Sequence, residues 1–154
     1  MGSTALTSLE KSQMGVSWKK QILKTTWIHS DYLEQWLIEF VKDGSCLNVC
    51  CGKSNVGNKR LDINLDSNAT EYGDLFKLDY PENSFDYVYC DPPFNYYVTG
   101  DNRFRWQQEL FKICKKALIT RRPKTTINLN SKNHYYIIAE DTKPSLSLLR
   151  IDLK

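Results

Sequence analysis

The eight residues from Cys90 to Tyr97, "CDPPFNYY", place an acid, two prolines and three aromatic side chains side by side. Consecutive prolines cannot continue a helix or a central strand, because each lacks the backbone N–H and fixes φ. The stretch directly follows "FDYVYC", a segment typical of a strand. It is either a stiff turn or a functional elbow that holds Asp91 and Phe94 rigidly, and its position after a strong strand favours the elbow.

Other polar residues follow predicted strands further upstream. "CLNVC" (46–50) predicts a short buried strand, and the turn-rich "CGKSNVGNKR" comes after it. Asp62 lies in "LDIN", the start of a second strand, and Asp74 lies in "YGDLF", a weak third strand. Taken singly, the loop is a generic turn and each acid a solvated carboxylate. Taken in order, they indicate a ligand site.

The elements that must position these residues alternate between helix and strand. The pair Asp31 and Glu34 resembles a capping box at the first helix. "HYYIIAE" and "LSLLRIDL" predict a C-terminal antiparallel hairpin. The pattern predicts an α/β sheet with its ligand chemistry at the carboxyl ends of the strands. Helices are predicted at 31–42 and 103–116, and strands at 46–50, from 61, near 71–76, at 85–90 and at 117–120.

The order of "LNVCCGKSNVG", "LDIN" and "GDLFKLDYPENSFDYVYCDPPF" resembles class I S-adenosylmethionine-dependent methyltransferases. Within them it resembles the amino-methyltransferases that carry an Asp/Asn-Pro-Pro-Tyr/Phe motif. The resemblance covers the chain from about Thr25 onward. It implies a Rossmann-like, mostly parallel sheet closed by the C-terminal hairpin. It also implies S-adenosyl-L-methionine as cofactor and a base amine as methyl acceptor, with DNA adenine favoured.

The same resemblance assigns a cofactor site. The loop after the first strand would approach the methionine part of the cofactor, although Asn48 stands where an acid is usual and Cys50 where the first glycine is usual. Asp62 would accept both ribose hydroxyls, with Asp66 as a fallback. Asp74 would accept from the adenine amine. The predicted cofactor-binding residues are Asn48, Cys50, Cys51, Gly52, Asp62, Asp74 and Leu75.

The resemblance gives the elbow the catalytic role. The lone pair of an exocyclic amine is delocalised into its base, so the site must align the amine and favour a pyramidal nitrogen. Asp91 and the carbonyl of Pro92 would accept the two N–H groups, and Phe94 would stack on a flipped-out base. Tyr96 and Tyr97 would line the base pocket or simply pack. Thr26 and His29 are expected either near the methionine end or at a helix entry.

Charge is distributed unevenly along the chain. Residues 101–154 contain 12 Lys and Arg against 5 Asp and Glu, whereas residues 1–100 contain 9 against 13. Arg121 and Arg122 belong to the basic part and are predicted to contact a nucleic-acid backbone. The alternative for this basic part is a solvated helix face.

Composition limits the remaining possibilities. With 154 residues, 41% of them hydrophobic and 25% charged, the chain fits one globular domain at 16–154 after a disordered lead-in at 1–15. The five cysteines are expected to be buried thiols in a reducing cytoplasm. They lack the paired spacing of a metal site, and no apolar run is long enough for a membrane helix.

Two connections are too short for the usual crossover helices. Only the ten residues at 51–60 separate the first two strands, and the next connection is equally short. We therefore expect some crossover helices to be missing and apolar surface to be exposed, which predicts a homodimer. A second functional hypothesis is a methyltransferase fold that has lost catalysis and serves as a nucleic-acid-binding or scaffold subunit.

Overall fold

Residues 27–97, 104–123, 133–139 and 147–154 are described by the computed structural model. Residues 1–26, which include the expected lead-in and Thr26, lie outside the described residues. Neither α-helix of the described part is long and apolar enough to cross a membrane. The elements are helices α1 (Leu33–Phe40) and α2 (Arg105–Ile113), and strands β1 (Trp27–His29), β2 (Cys46–Val49), β3 (Lys59–Asp62), β4 (Glu71–Tyr72), β5 (Phe85–Cys90), β6 (Cys114–Pro123), β7 (Asn133–Ala139) and β8 (Ser147–Leu153).

The strands form one sheet in the order β1-β7-β8-β6-β5-β2-β3-β4. Five strand pairs are parallel and two are antiparallel, the latter being β6 with β8 and β7 with β8. The predicted C-terminal antiparallel pair is therefore β7 and β8. Chain order reverses at β2, because β3 and β4 lie on one side of it and β5 and β6 on the other. In open α/β sheets, ligands bind beyond the carboxyl ends of the strands at such a point.

The side chains of β5 alternate between two apolar cores, one on each face of the sheet. Tyr87 and Tyr89 pack on the face covered by α1, whereas Val88 and Cys90 pack on the face covered by α2. Successive side chains of a strand point to opposite faces, so this one strand contributes to both cores. Because helices cover both faces, β2 is buried along its whole length. The helices bury Leu33, Leu37 and Phe40 of α1 and Trp106, Leu110 and Ile113 of α2.

The boundary between α2 and β6 differs from the prediction. The helix ends at Ile113 rather than at Lys116, and the strand runs from Cys114 to Pro123 instead of 117–120. Cys114 is buried and pairs with Phe85 of β5, while the far half of β6 pairs with β8. Ladder pairing on both sides outweighs the helical pattern of the sequence in this segment.

The predicted capping box at the first helix is wrong. Asp31 lies in a 3₁₀ turn (Ser30–Tyr32), and its backbone N–H donates to Nδ1 of His29 at 3.1 Å. Glu34 instead accepts from the backbone N–H of Asn55 at 2.9 Å, so it holds the loop after β2. His29 therefore stands at a helix entry, one of the two places expected for it.

The connections from β2 to β3 and from β3 to β4 consist of turns, with no α-helix in these fully described stretches. Backbone hydrogen bonds tie the two loops to their neighbours. Cys51 N–H donates to the Leu61 carbonyl at 3.1 Å, and Asn68 N–H donates to the Gly52 carbonyl at 2.7 Å. The two loops thus form one continuous rim at the carboxyl edge of the sheet.

Candidate active site

The four predicted site segments meet at the carboxyl end of β2. Asp91 N–H donates to the Val49 carbonyl at 3.4 Å, which joins the elbow to the end of β2. Gly52 N–H donates to Oδ2 of Asp62 at 2.8 Å, which joins the loop after β2 to the end of β3. Gly73 N–H donates to the Asp62 carbonyl at 3.1 Å and brings the third segment alongside. Parallel pairing thus gathers residues that lie far apart in the sequence at one edge.

The loop after β2 has positive φ at three positions, and two of them lie directly beside the end of the strand. Cys50 has φ 59° and Gly52 has φ 54°. Glycine reaches this region without strain, whereas a residue with a Cβ pays about 1–2 kcal/mol, which explains why a glycine is usual at the position of Cys50. Apart from Gly52 and its two chain neighbours, no heavy atom of the described residues lies within 4 Å of where a Cβ on Gly52 would stand. The space above Gly52 is therefore open to a ligand.

Asp62 has acceptor capacity left for a ligand. Its Oδ2 accepts from Gly52 N–H at 2.8 Å and its Oδ1 from Asn64 N–H at 2.9 Å. A carboxylate offers about four lone-pair sites, so each oxygen retains a second one. Asp66, the fallback position, is exposed in the loop beyond β3. The two backbone hydrogen bonds hold the Asp62 carboxylate in place at the end of β3.

Asn48 lies beneath the loop rather than in the open space above it. Its side chain has 0% exposure, and Nδ2 donates to Ser54 Oγ at 3.2 Å and to the Val56 carbonyl at 3.0 Å. Its Oδ1 is buried, and none of the described residues donates a hydrogen bond to it. The amide therefore fixes the loop from inside, which explains why an amide, a donor, stands where an acid is usual.

Cys51 is also part of the loop's support. The side chain is buried, and its Sγ contacts the Gly52 carbonyl at 3.7 Å. Burial raises the pKa of the Cys51 thiol, and the nearby Asp62 carboxylate raises it further. The thiol therefore stays protonated at neutral pH and does not act as a nucleophile. Four of the five cysteines are buried, as predicted, and Cys50 is half-buried.

The third segment presents apolar surface beside a carboxylate. Asp74 begins a 3₁₀ turn (Leu75–Lys77), and its Oδ1 accepts from Phe76 N–H at 2.9 Å. Leu75 is buried, whereas Phe76 is exposed. Ile63, which the sequence analysis did not select, follows Asp62 with 69% of its surface exposed. The sequence feature that could have identified Ile63 is its position directly after an acid at the end of a strand.

The elbow holds two hydrogen-bond acceptors, the Asp91 carboxylate and the Pro92 carbonyl. Among the described residues, no group donates a hydrogen bond to the Asp91 carboxylate or to the Pro92 carbonyl, and Pro92 itself is buried. The nearest cation to Asp91 is Arg121, whose Nη1 lies 3.8 Å from Oδ2. Burial raises the pKa of Asp91, while Arg121 opposes that shift. The carboxylate can therefore accept N–H groups from a ligand.

The three aromatic residues of the elbow have different environments. Phe94 is 41% exposed and offers a ring face to solvent. Tyr96 packs against Phe76 with ring centroids 5.1 Å apart, and its carbonyl accepts from Trp106 Nε1 at 3.2 Å. Tyr97 is buried, and its hydroxyl donates to the Arg121 carbonyl at 2.6 Å. Of the two roles expected for Tyr97, packing is the one the structure shows.

Arg122 occupies the interior instead of the expected surface position. Only 3% of it is exposed, and its guanidinium donates to Gln107 Oε1 at 2.5 Å and to Thr120 Oγ1 at 3.2 Å. It also lies over the Tyr97 ring, 4.6 Å from the centroid. The correction follows from β6 continuing to Pro123, since alternate residues of a strand face opposite sides of the sheet.

Two further basic residues of β6 lie away from the site. Lys115 and Lys116 stand at the amino end of β6, opposite the carboxyl edge that carries the elbow. Lys116 Nζ lies 3.6 Å from Asp43 Oδ2 and 5.6 Å from the Tyr87 ring centroid. The described part of the chain contains no cluster of His, Cys, Asp and Glu suited to a metal ion.

S-adenosylmethionine combines a nucleoside with an amino-acid tail, and the residues at this edge fit such a molecule. The Asp62 carboxylate has two lone-pair sites left for a ribose diol, and the space above Gly52 is open. The side chains of Ile63 and Phe76, near the ends of β3 and β4, are apolar and exposed. The fit rests on these observations rather than on Asn48, which faces the interior.

Several solved structures with which the chain aligns are described as methyltransferases. The chain aligns at a TM-score of 0.56 and 10% identity with a chain from the complex of the Haloferax volcanii Trm112 methyltransferase activator and a proposed methyltransferase, covering 92% of this chain and 94% of that one. An S-adenosylmethionine-dependent methyltransferase from Methanosarcina mazei aligns at 0.52 and 11% identity, covering 72% and 92%. A proposed Escherichia coli methyltransferase aligns at 0.50 and 10%, covering 80% and 83%. No family model and no curated protein sequence matches the chain.

These alignments establish the fold class. The chain shares a mixed α/β fold with these methyltransferase structures, and the candidate site lies at the switch point of its sheet.

Asn48→Asp, which restores the usual acid, is expected to destabilise the protein. A carboxylate cannot donate to the Val56 carbonyl that Nδ2 now contacts at 3.0 Å, and we expect a loss of about 1–3 kcal/mol near pH 7. Burial without a donor raises the folded-state pKa of the introduced carboxyl, so the loss disappears below its unfolded pKa, about pH 4. Urea unfolding at both pH values measures it.

Asn64→Asp is the matched control, because the exposed Asn64 side chain only accepts, from Asp66 N–H at 2.9 Å, and a carboxylate can do the same. Equal stability of Asn48→Asp and the unchanged protein at pH 7 would contradict the supporting role of Asn48.

Proposed function

We propose that this protein transfers a methyl group from S-adenosylmethionine to an exocyclic amine of a nucleic-acid base, with adenine in DNA as the first candidate. The observation that carries the proposal is the half-buried Asp91 carboxylate, to which no described residue donates a hydrogen bond. It stands beside the loop after β2, joined to it through the Val49 carbonyl. The shared fold with S-adenosylmethionine-dependent methyltransferases supports the assignment.

The cofactor would be held by residues of the loop and of the neighbouring strand ends. When bound, it supplies an electrophilic methyl group. Asp62 accepts the ribose hydroxyls through its spare lone pairs, and Gly52 leaves room for close approach. Asp74 accepts from the adenine amine through the oxygen that does not bond Phe76 N–H. Leu75 contributes apolar packing beneath this segment, and Cys50 and Cys51 shape the loop.

The elbow acts on the amine of the target base. The Asp91 carboxylate and the Pro92 carbonyl accept its two N–H groups, which draws them out of the base plane and frees the nitrogen lone pair. That lone pair would form the new N–C bond as the methyl–sulfur bond breaks, S-adenosylhomocysteine would leave, and the nitrogen would lose one proton to solvent. Two adjacent prolines hold these acceptors without a ladder partner. Phe94, 41% exposed, stacks on the base, and Tyr96 closes the side towards Phe76. Positioning rather than acid–base chemistry supplies most of the rate.

Two other functions would give different results in a methyl-transfer assay. The amine of cytosine or guanine, in DNA or RNA, has the same two N–H groups and suits the same acceptors. A fold retained as a nucleic-acid-binding or scaffold subunit would lack methyl transfer. The left-handed Cys50 and the interior Asn48 are where this chain departs from the usual loop, although neither occupies the space above Gly52.

A homodimer is a separate proposal, based on apolar side chains exposed around the edge strand β4. Ile63 is 69%, Leu65 73% and Tyr72 53% exposed, in a part of the chain where turns replace crossover helices. Light scattering at tens of micromolar should give twice the chain mass. A monomer at that concentration would contradict the proposal.

Asp62→Ala is expected to weaken binding of S-adenosylhomocysteine at least tenfold. Loss of a charged acceptor for two hydroxyls costs about 1.5–3 kcal/mol. Calorimetry measures the affinity, with Asp79→Ala as the control, since Asp79 is an exposed acid outside the site. Because Asp62 also holds the loop, Asp62→Asn is measured as well. The cofactor assignment would be refuted if the unchanged protein bound S-adenosylhomocysteine more weakly than millimolar. It would also be refuted if both Asp62 variants bound it as tightly as the unchanged protein.

Asp91 and Phe94 should be separable in a methyl-transfer assay. Labelled S-adenosylmethionine is incubated with duplex DNA, single-stranded DNA or RNA, and the nucleosides are analysed. Asp91→Ala should lower kcat by orders of magnitude with cofactor binding intact, because it removes an acceptor used in the transition state. Phe94→Ala removes about 1–3 kcal/mol of stacking and should mainly raise KM.

Asp79→Ala, at an exposed acid outside the site, is the control and should leave transfer unchanged. If the protein binds the cofactor but labels none of the three nucleic acids, the base-amine assignment fails. If Asp91→Ala transfers label as fast as the unchanged protein, the elbow is only a turn.

A further inference from the structure

Arg121 contacts the candidate catalytic acid through strand pairing rather than through a flexible loop. Cys90 of β5 pairs with Thr120 of β6, so the next residues of the two strands, Asp91 and Arg121, stand side by side. The Arg121 Nη1 lies 3.8 Å from Asp91 Oδ2. Its Nε donates to Ser147 Oγ on β8 at 3.2 Å, which anchors the guanidinium from the other side. The relative position of the two charges is therefore fixed by the sheet.

The contact is an ion pair without a hydrogen bond. At 3.8 Å the nitrogen is too far for a direct bond, so the carboxylate keeps its acceptor sites for a ligand while it feels the positive charge. A bidentate Arg–carboxylate pair would instead occupy both oxygens. This geometry combines charge stabilisation with a free acceptor surface.

Described groups facing Asp91 come from three elements. Tyr89 and Cys90 lie on β5 and Tyr97 in the turn after the elbow, and burial is the main cause that raises the pKa of each of them. They are therefore neutral near pH 7. Arg121 on β6 is the charged neighbour of Asp91, and it alone counters the rise in the pKa of Asp91 that burial produces.

We propose that Arg121 is a positioning residue for Asp91, which it holds in the charged form with the acceptor side of the carboxylate turned to the substrate amine. The inference deepens the proposed function and takes its catalytic meaning from it. It also replaces the phosphate contact predicted for Arg121. Arg122, the next residue, supports the elbow from the opposite face through the Tyr97 ring.

The test measures the ionisation of Asp91 directly and does not depend on methyl transfer. The full chain is labelled with ¹³C at the aspartate carboxyl carbons, and the Asp91 signal is identified by its loss in Asp91→Asn. In Arg121→Gln, which keeps a donor for Ser147 but removes the charge, the titration midpoint of Asp91 should lie at least about one pH unit higher than in the unchanged protein. Arg121→Lys should change it far less.

Arg150→Met is the matched control. Arg150 is a partly buried arginine of the neighbouring strand β8, and its Nε donates to Asp152 Oδ1 at 2.9 Å. Its loss should move the midpoint of Asp152 and leave that of Asp91 in place. Circular dichroism verifies that each variant is folded. If Arg121→Gln does not fold, Arg121→Lys at high and low salt replaces it, since screening should then raise the Asp91 midpoint.

A folded Arg121→Gln variant whose Asp91 midpoint equals that of the unchanged protein would overturn the proposal. The result stands whether or not any substrate is methylated, so it separates this inference from the proposed function. If methyl transfer is found, the acidic limb of its pH profile should move upward in Arg121→Gln by the same amount. The carboxylate acts as acceptor, so activity is lost as pH falls through the pKa of Asp91.

Discussion

Strand β2 pairs in parallel with β5 on one side and with β3 on the other, and both pairings end at the same edge of the sheet. Everything proposed for the site depends on this pairing. It joins the elbow after β5 to the end of β2, and the loop after β2 to the acid at the end of β3, by hydrogen bonds. The strand can be buried throughout because α1 and α2 cover the two faces.

Buried polar side chains hold the loops of the site in place. Asn48 holds the loop after β2 through Ser54 and Val56, and Arg122 holds the elbow through the ring of Tyr97. Burying such groups is costly unless they find partners, so each of these contacts is also a constraint on the backbone around it. Loops held by buried polar side chains are suited to positioning a ligand, which is the main task of the proposed reaction.

Asp91, unlike Asn48 and Arg122, is a partly buried polar group that accepts no hydrogen bond from the described residues. Burial disfavours its charge, and no described residue donates a hydrogen bond to it, yet β6 brings Arg121 to 3.8 Å. A fully paired carboxylate would be more stable and would have no acceptor left for a substrate. An isolated one would bind a proton more readily. At the distance that the β5–β6 register sets, Arg121 stabilises the charge of Asp91 without occupying its acceptor sites. The protein thus forgoes the stability of a fully paired carboxylate at the place where the ligand is expected to bind.

Local sequence patterns determined much of this protein. The β5 strand, the rigid Asp-Pro-Pro elbow and the final antiparallel strands follow from apolar alternation and from proline chemistry, which act within a few residues. Only the tertiary structure decided that Trp27–His29 pairs with β7, that Arg122 points inward and that Asn48 braces a loop. Each of these depends on partners distant in the sequence. A strand gains its ladder, and a polar side chain its hydrogen bonds, only when the whole sheet has assembled.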